Sequence, residues 1–336
     1  MNRIFIIGGG AWGTALAQTL ARAASDVVLW AHEAETVAAI NGTHENTIFL
    51  PGVALDPRIR ATATLAEAAA SEIALLVVPA QHLRAVARDL AGVLAPGVPV
   101  VICAKGIELP SGALMTEVLA ETMPASPYAV LSGPTFASEV ARGLPTAVTL
   151  AAKDEALGAR LAAALGSRGL RPYLSDDPVG AEIGGAVKNV EAIACGIVVG
   201  RGLGENARAA VITRGIAEMV RLAQAKGGRA ETLMGLSGLG DLTLTCTSLQ
   251  SRNYSLGIAL GQGQSLASIL AARRSIAEGV ASAPATVALA GRVGVEMPIA
   301  TAVDAILHQG GAIDAVIERL LARPFRAESA GSVPKS

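Results

Sequence analysis

Aromatic side chains are nearly missing from this chain: four Phe, three Tyr and two Trp among 336 residues. Rings therefore cannot fill the interior, and much of the filling falls to Ala and Gly, a composition suited to closely packed helices. Cysteine is scarce too. Cys103, Cys195 and Cys246 are odd in number and far apart, with no C-x-x-C pair and no histidine at ligand spacing. They fit buried thiols in a reducing compartment better than disulfides or a zinc site, and the expected setting is the cytoplasm. Basic blocks are absent and the formal net charge is −1, so no nucleic-acid partner is expected. No apolar run approaches the ~18 residues of a spanning helix. The longest, residues 73–80 and 193–200, have strand or buried-helix length, so no membrane insertion is expected. Arg3, the apolar run after it and Ala15-Leu16-Ala17 imitate a signal peptide, but three consecutive glycines interrupt the imitation.

What is present starts at residue 3. Arg3-Ile4-Phe5-Ile6-Ile7 reads as a buried strand, followed by Gly8-Gly9-Gly10-Ala11-Trp12-Gly13 and a helix running from Ala11 through Ala15 to Leu20. Strand, G-x-G-x-x-G and helix in this order form a dinucleotide-binding signature. Gly8 permits a tight turn, and Gly10 lets a pyrophosphate approach the backbone. Gly13 lets helix and strand pack closely, while the helix N-terminus offers N–H groups to the phosphates.

Apolar strands are expected at residues 27–30, 73–78, 98–103, 128–131, 147–151 and 170–174, with helices at 62–70, 82–94 and 155–165. Their alternation predicts an α/β fold, a doubly wound parallel sheet covered on both faces, with ligands beyond the carboxyl ends of its strands. Three loops then gain interest: Pro79-Ala80-Gln81, Ala104-Lys105-Gly106-Ile107-Glu108 and Ser132-Gly133-Pro134-Thr135-Phe136-Ala137. Lys105 could meet an anion there or lie solvated at the surface. After the second strand, Glu33 comes slightly late to hold a ribose hydroxyl, and His32 is a weak partner for a 2′-phosphate. The choice between NAD and NADP stays open.

Near Pro178 the strand signals stop. Helices are expected at 181–199, 207–226, 265–272, 283–291, 299–309 and 313–322, making an all-α C-terminal domain. The expected division is 1–178, 179–325 and a loose tail at 326–336. Lys188 lies in the first of these helices with Gly184, Gly185, Ala192 and Cys195 on its face. Either it snorkels to water from a packed helix, or the face borders a polar cleft where desolvation and neighbouring cations lower its pKa enough for base work. Gly238-Leu239-Gly240-Asp241-Leu242-Thr243 sets an acid among glycines. Ser251-Arg252-Asn253 offers a hydroxyl, a guanidinium and an amide to a phosphate, or else supplies caps and turns.

Taken together these stretches resemble the bacterial-type NAD(P)-dependent glycerol-3-phosphate dehydrogenases. The likeness rests on GGGAWGTALA, Leu50-Pro51-Gly52, Lys105-Gly106-Ile107-Glu108, Ser132-Gly133-Pro134-Thr135-Phe136-Ala137, Val187-Lys188-Asn189-Val190, GLSGLGDLTLTC, Ser251-Arg252-Asn253 and Ala277-Glu278-Gly279-Val280, in that order. The resemblance implies a Rossmann domain, a helical domain, and a site in the cleft between them. It implies reversible reduction of dihydroxyacetone phosphate to glycerol 3-phosphate, the backbone of phospholipids, with NADPH or NADH as hydride source. Lys188 would carry the proton. Lys105, Gly133, Thr135, Lys188, Asp241, Ser251, Arg252 and Asn253 would line the substrate site, Asp241 also orienting Lys188. The cofactor would meet Gly8, Gly10, Ala11, Trp12, Gly13, His32, Phe49, Lys105, Ala137, Arg252, Ile276 and Glu278. The partners it implies are a small phosphorylated triose or glycerol and, as related enzymes are often dimers, a second copy of the chain. Two departures from the family pattern stand out: His32 replaces a common arginine, and Phe49 a common tyrosine or histidine. Rival readings are a two-domain dehydrogenase acting on a hydroxy acid or sugar acid, and a non-catalytic NAD(P) sensor.

Overall fold

The computed structural model describes residues 2–23, 25–109, 111–272 and 277–324. Continuous apolar runs form the buried central strands, and stripes of apolar residues seat the helices upon them. β1 (Arg3–Ile7), α1 (Ala11–Arg22), β2 (Asp26–Trp30) and α2 (Ala34–Thr43) come first. A hairpin of β3 (Glu45–Asn46) and β4 (Leu50–Ala54) follows, then β5 (Arg60–Thr62). The alternation resumes with β6 (Ile73–Leu76), α3 (Ala80–Ala91), β7 (Val100–Ile102), α4 (Met115–Thr122) and β8 (Tyr128–Ser132). It ends with α5 (Ala137–Ala141), β9 (Thr146–Ala151), α6 (Glu155–Leu165) and β10 (Leu170–Ser175).

The eight-stranded sheet has the order β10-β9-β8-β7-β6-β1-β2-β5. Its pairs are parallel except β8 with β9, which run antiparallel. The expectation of a wholly parallel sheet is therefore corrected. The short α5 connection returns the chain at the edge it left, and a strand entering from that edge must run antiparallel. The helix expected over 62–70 is also shorter. Thr62 ends β5 against β2, its hydroxyl bonded to Glu67, and only a 3-10 turn covers Leu65–Ala70.

The second half is helical: α7 (Pro178–Gly200), α8 (Gly204–Ala225), α9 (Ala230–Leu233), a π-helical turn (Leu236–Gly240) and α10 (Asp241–Thr247). Then come α11 (Arg252–Gly261), α12 (Leu266–Ala271), α13 (Glu278–Arg292), α14 (Pro298–His308) and α15 (Ile313–Leu321). The expected tail at 326–336 lies outside the described residues. α7 is the axis of this half. Pro178 opens it, and Asp177 caps it by accepting the Gly180 N–H at 3.0 Å. By length and composition it could cross a membrane, with a mean hydropathy of 1.4, yet 89% of that window is buried inside the protein. Counting uninterrupted apolar runs missed this because Glu182, Lys188, Asn189 and Glu191 punctuate the helix.

α11 lies backbone to backbone on α7. A Cβ on Gly257 would overlap the Ile193 carbonyl, and one on Gly196 would overlap the Tyr254 carbonyl. Gly257→Ala should therefore lower the melting temperature by several degrees, since overpacking at about 1–3 kcal/mol exceeds the roughly 1 kcal/mol helix-propensity gain. Gly291→Ala on α13, where a Cβ meets nothing within 4 Å, should leave it unchanged or raise it. Thermal melts of the two variants beside the parent check both signs.

Candidate functional site

Three groups of residues converge beyond the carboxyl ends of β1 and β7. The first is the glycine turn. Gly8 has φ +132°, and a Cβ there would lie 2.7 Å from the Val77 carbonyl oxygen. A Cβ on Gly13 would overlap the Gly8 carbonyl, whereas the space outside Gly10 is open. Gly10 caps α1 with no side-chain bond, and no acid occupies the first turn. Ala11 and its neighbours thus present the positive end of a helix to open space, a cradle that fits a dinucleotide pyrophosphate.

Asn46 secures this cradle. Its Nδ2 donates to the Gly9 carbonyl and to Thr14 Oγ1, both at 2.8 Å, and its Oδ1 accepts the Phe49 N–H at 3.0 Å. The β3–β4 hairpin is thereby held against the turn, with Phe49 beside it. Trp12 carries an indole N–H that is buried without a partner. His32 is exposed just past β2, its ring centroid 6.3 Å from that of Trp30. Ile276 lies outside the described residues.

The second group holds the charge. Lys105 follows β7 and donates to Asp241 Oδ2 at 2.7 Å and to the Gly133 carbonyl at 3.0 Å. Lys188 donates to Asp241 Oδ1 and, at 3.0 Å, to Thr245 Oγ1. Asp241 is fully buried and Lys188 only 6% exposed, so one carboxylate is shared by two ammonium groups from opposite halves of the chain. Burial pushes Lys188 down to about 8; the Asp241 charge opposes that shift and the Lys105 charge adds to it.

Local packing explains the meeting. A Cβ on Gly184 would overlap the Ser237 carbonyl, so the π-helical turn lies directly on α7 one helical turn before Lys188. Asp241, the first residue after that turn, reaches Lys188 as a result. Thr245 sits one turn further along α10, its hydroxyl donating to the Asp241 carbonyl at 2.6 Å. A Cβ on Gly185 would stand 3.3 Å from Lys105 Cγ and 2.8 Å from Ser132 Oγ, so that glycine clears the path of Lys105. Thr135 donates to the Gly133 carbonyl at 3.2 Å.

The third group frames Arg252. Ser251 caps α11 by accepting the Tyr254 N–H at 3.2 Å. Asn253 donates to Asn189 Oδ1 at 2.9 Å and accepts the Gly279 N–H at 3.0 Å, joining α7, α11 and α13. These two side chains thus anchor the exposed Arg252. Burial raises Glu278 above the usual carboxylate range, while the charges of Arg252, Lys105 and Lys188 draw it back. Ala137 opens α5 on the facing side.

Thr245, Asn46 and Asn189 have places here that sequence reasoning did not assign. Thr245 was legible in principle, four residues after Asp241, had a helix been read over α10. Asn46 acts across a hairpin that no local pattern announces.

Residues 3–158 match the model of the NAD-dependent glycerol-3-phosphate dehydrogenase N-terminus, and residues 177–318 match that of its C-terminus. "Glycerol-3-phosphate dehydrogenase [NAD(P)+]" of Parvibaculum lavamentivorans is 58% identical over 98% of this chain and 98% of its own. Its namesake in Rhodospirillum rubrum is 61% identical over 98% of this chain and 94% of its own. The crystal structure of glycerol-3-phosphate dehydrogenase from Coxiella burnetii superposes with a TM-score of 0.92 at 39% identity, covering 96% of this chain and 99% of that one. The chain belongs to the NAD-dependent glycerol-3-phosphate dehydrogenase family.

Proposed function

We propose that this protein interconverts dihydroxyacetone phosphate and sn-glycerol 3-phosphate, and that Lys188 holds and moves the proton. The observation that carries the reading is the Lys105–Asp241–Lys188 array around one fully buried carboxylate, in a chain that also carries a glycine cradle of dinucleotide type. The nicotinamide of NADPH or NADH supplies the hydride when bound. In the reducing direction the Lys188 ammonium gives its proton to the oxygen that forms on the substrate carbonyl, leaving a neutral amine. In the oxidising direction that neutral amine takes the hydroxyl proton. A lysine at about 8 is suited to both roles near neutral pH, where one at about 10.4 is not.

Asp241 aims Lys188 and offsets part of the positive charge, while Lys105 and Arg252 leave the site cationic enough for a dianionic phosphate. Ser251, Asn253, Gly133 and Thr135 shape the wall on either side. The glycine turn with Trp12, Phe49, Ala137 and Glu278 would hold the cofactor, and the exposed His32 just past β2 would be a weak partner for a 2′-phosphate. The product is the glycerol backbone of phospholipids, which would place the protein in lipid synthesis within the cytoplasm. Association as a homodimer belongs to the same proposal.

Lys188→Ala should lower kcat by about 10²–10⁴-fold while NADPH affinity, read by fluorescence titration, stays within a few-fold. A variant with near-normal turnover would remove Lys188 from the reaction. The oxidation rate should rise as pH passes through about 8, because the base must be neutral, and the reduction rate should fall across the same range. Asp241→Asn removes the charge that raises the Lys188 pKa, so the inflection should move to lower pH. Steady-state rates across pH in both directions test this sign, and an unmoved profile would deny Asp241 its orienting role.

A further inference from the structure

Two hydrogen bonds on the rim of the cleft have no part in the proton transfer. The chain between α10 and α11 turns at residues 248–251, where the Ser251 N–H donates to the Ser248 carbonyl at 3.0 Å and the Gln250 N–H to Ser248 Oγ at 3.2 Å. From this turn the exposed Gln250 side chain crosses to α5. Ser138 Oγ donates to its Oε1 at 3.2 Å, and its Nε2 donates to Glu139 Oε1 at 3.0 Å. Both ends of the amide are engaged, which fixes its orientation as well as its reach.

The placement gives the contact a direction of action. Ser138 and Glu139 directly follow Ala137, and Gln250 directly precedes Ser251 and Arg252. The amide therefore ties together two segments, one from each half of the chain, that each carry a proposed cofactor contact, Ala137 and Arg252. Another tie between the halves, Lys105 with Asp241, is an ion pair whose carboxylate is fully buried. The Gln250 tie is exposed, so water can replace it at small cost and it can open and close.

We propose that Gln250 is a positioning residue, a latch that holds the Arg252 turn against α5 over bound NAD(P) and opens as the cofactor leaves. This rests on the cofactor reading above. Gln250 touches no reacting atom and works through the position of Arg252.

The test is the dissociation rate of NADPH from the full chain, followed by nicotinamide fluorescence after mixing with excess NADP. Gln250→Ala should speed dissociation by roughly fivefold, the loss of about one net hydrogen bond at an exposed position. The melting temperature should stay within about 1 °C. Gln250→Glu, which sets a second carboxylate against Glu139, should release the cofactor at least as fast. Gln250→Lys keeps a donor toward Glu139 and should bring the rate back toward the parent value. An unchanged rate in Gln250→Ala would overturn the latch while leaving the cofactor reading intact. Faster release in all three variants, with a matching fall in melting temperature, would overturn it in favour of a plain structural contact. A parent protein that fails to bind NADPH would overturn the cofactor reading and the latch together.

Discussion

The arrangement of this molecule turns on one buried carboxylate. Asp241 has no exposure to water, and each of its oxygens accepts a hydrogen bond from a different lysine. An isolated carboxylate in that place would be strongly destabilising; with Lys105 and Lys188 around it, each charge compensates another. Lys105 comes from the end of a sheet strand and Lys188 from the core helix. The same ion-pair array therefore joins the two halves of the chain.

Much of the surrounding architecture serves to bring those three residues together without steric conflict. The glycines of α7 let other backbones approach: the π-helical turn at Gly184, the Lys105 side chain at Gly185 and α11 at Gly196. A helix with ordinary side chains at these positions would hold its neighbours further away. The scarcity of aromatics fits the same requirement, since close backbone packing leaves little room for rings. Polar groups in the interior are spent on joining elements, as Asn253 shows by linking three helices with one amide.

The cofactor side is built differently. Its central feature is a helix N-terminus left without a side-chain cap, an arrangement that costs stability unless an anion arrives. Asn46 and the hairpin behind it brace the turn from one direction, and the Gln250 tie closes the rim from another. Asp241 and Lys188 are buried. The Gln250 tie to α5 is exposed.

The glycine turn, the alternation of strands and helices and the change to helices near Pro178 were determined by local sequence, because spacing and apolar periodicity act over a few residues. The motifs also marked Lys105, Lys188, Asp241 and Arg252 as charged residues among apolar or small neighbours. Their mutual distances were decided only by the fold. Nothing local brings residues 105, 188 and 241 to one point; that follows from how the sheet, α7 and the π-helical turn pack. The same limit explains the antiparallel β9, the bracing by Asn46 and the role of Asn253, which holds its helix through partners distant in sequence, whereas the Ser251 cap on Tyr254 is local. Even the lowered pKa of Lys188 is a tertiary property, since burial and the Lys105 charge produce it and neither is written in the residues beside Lys188.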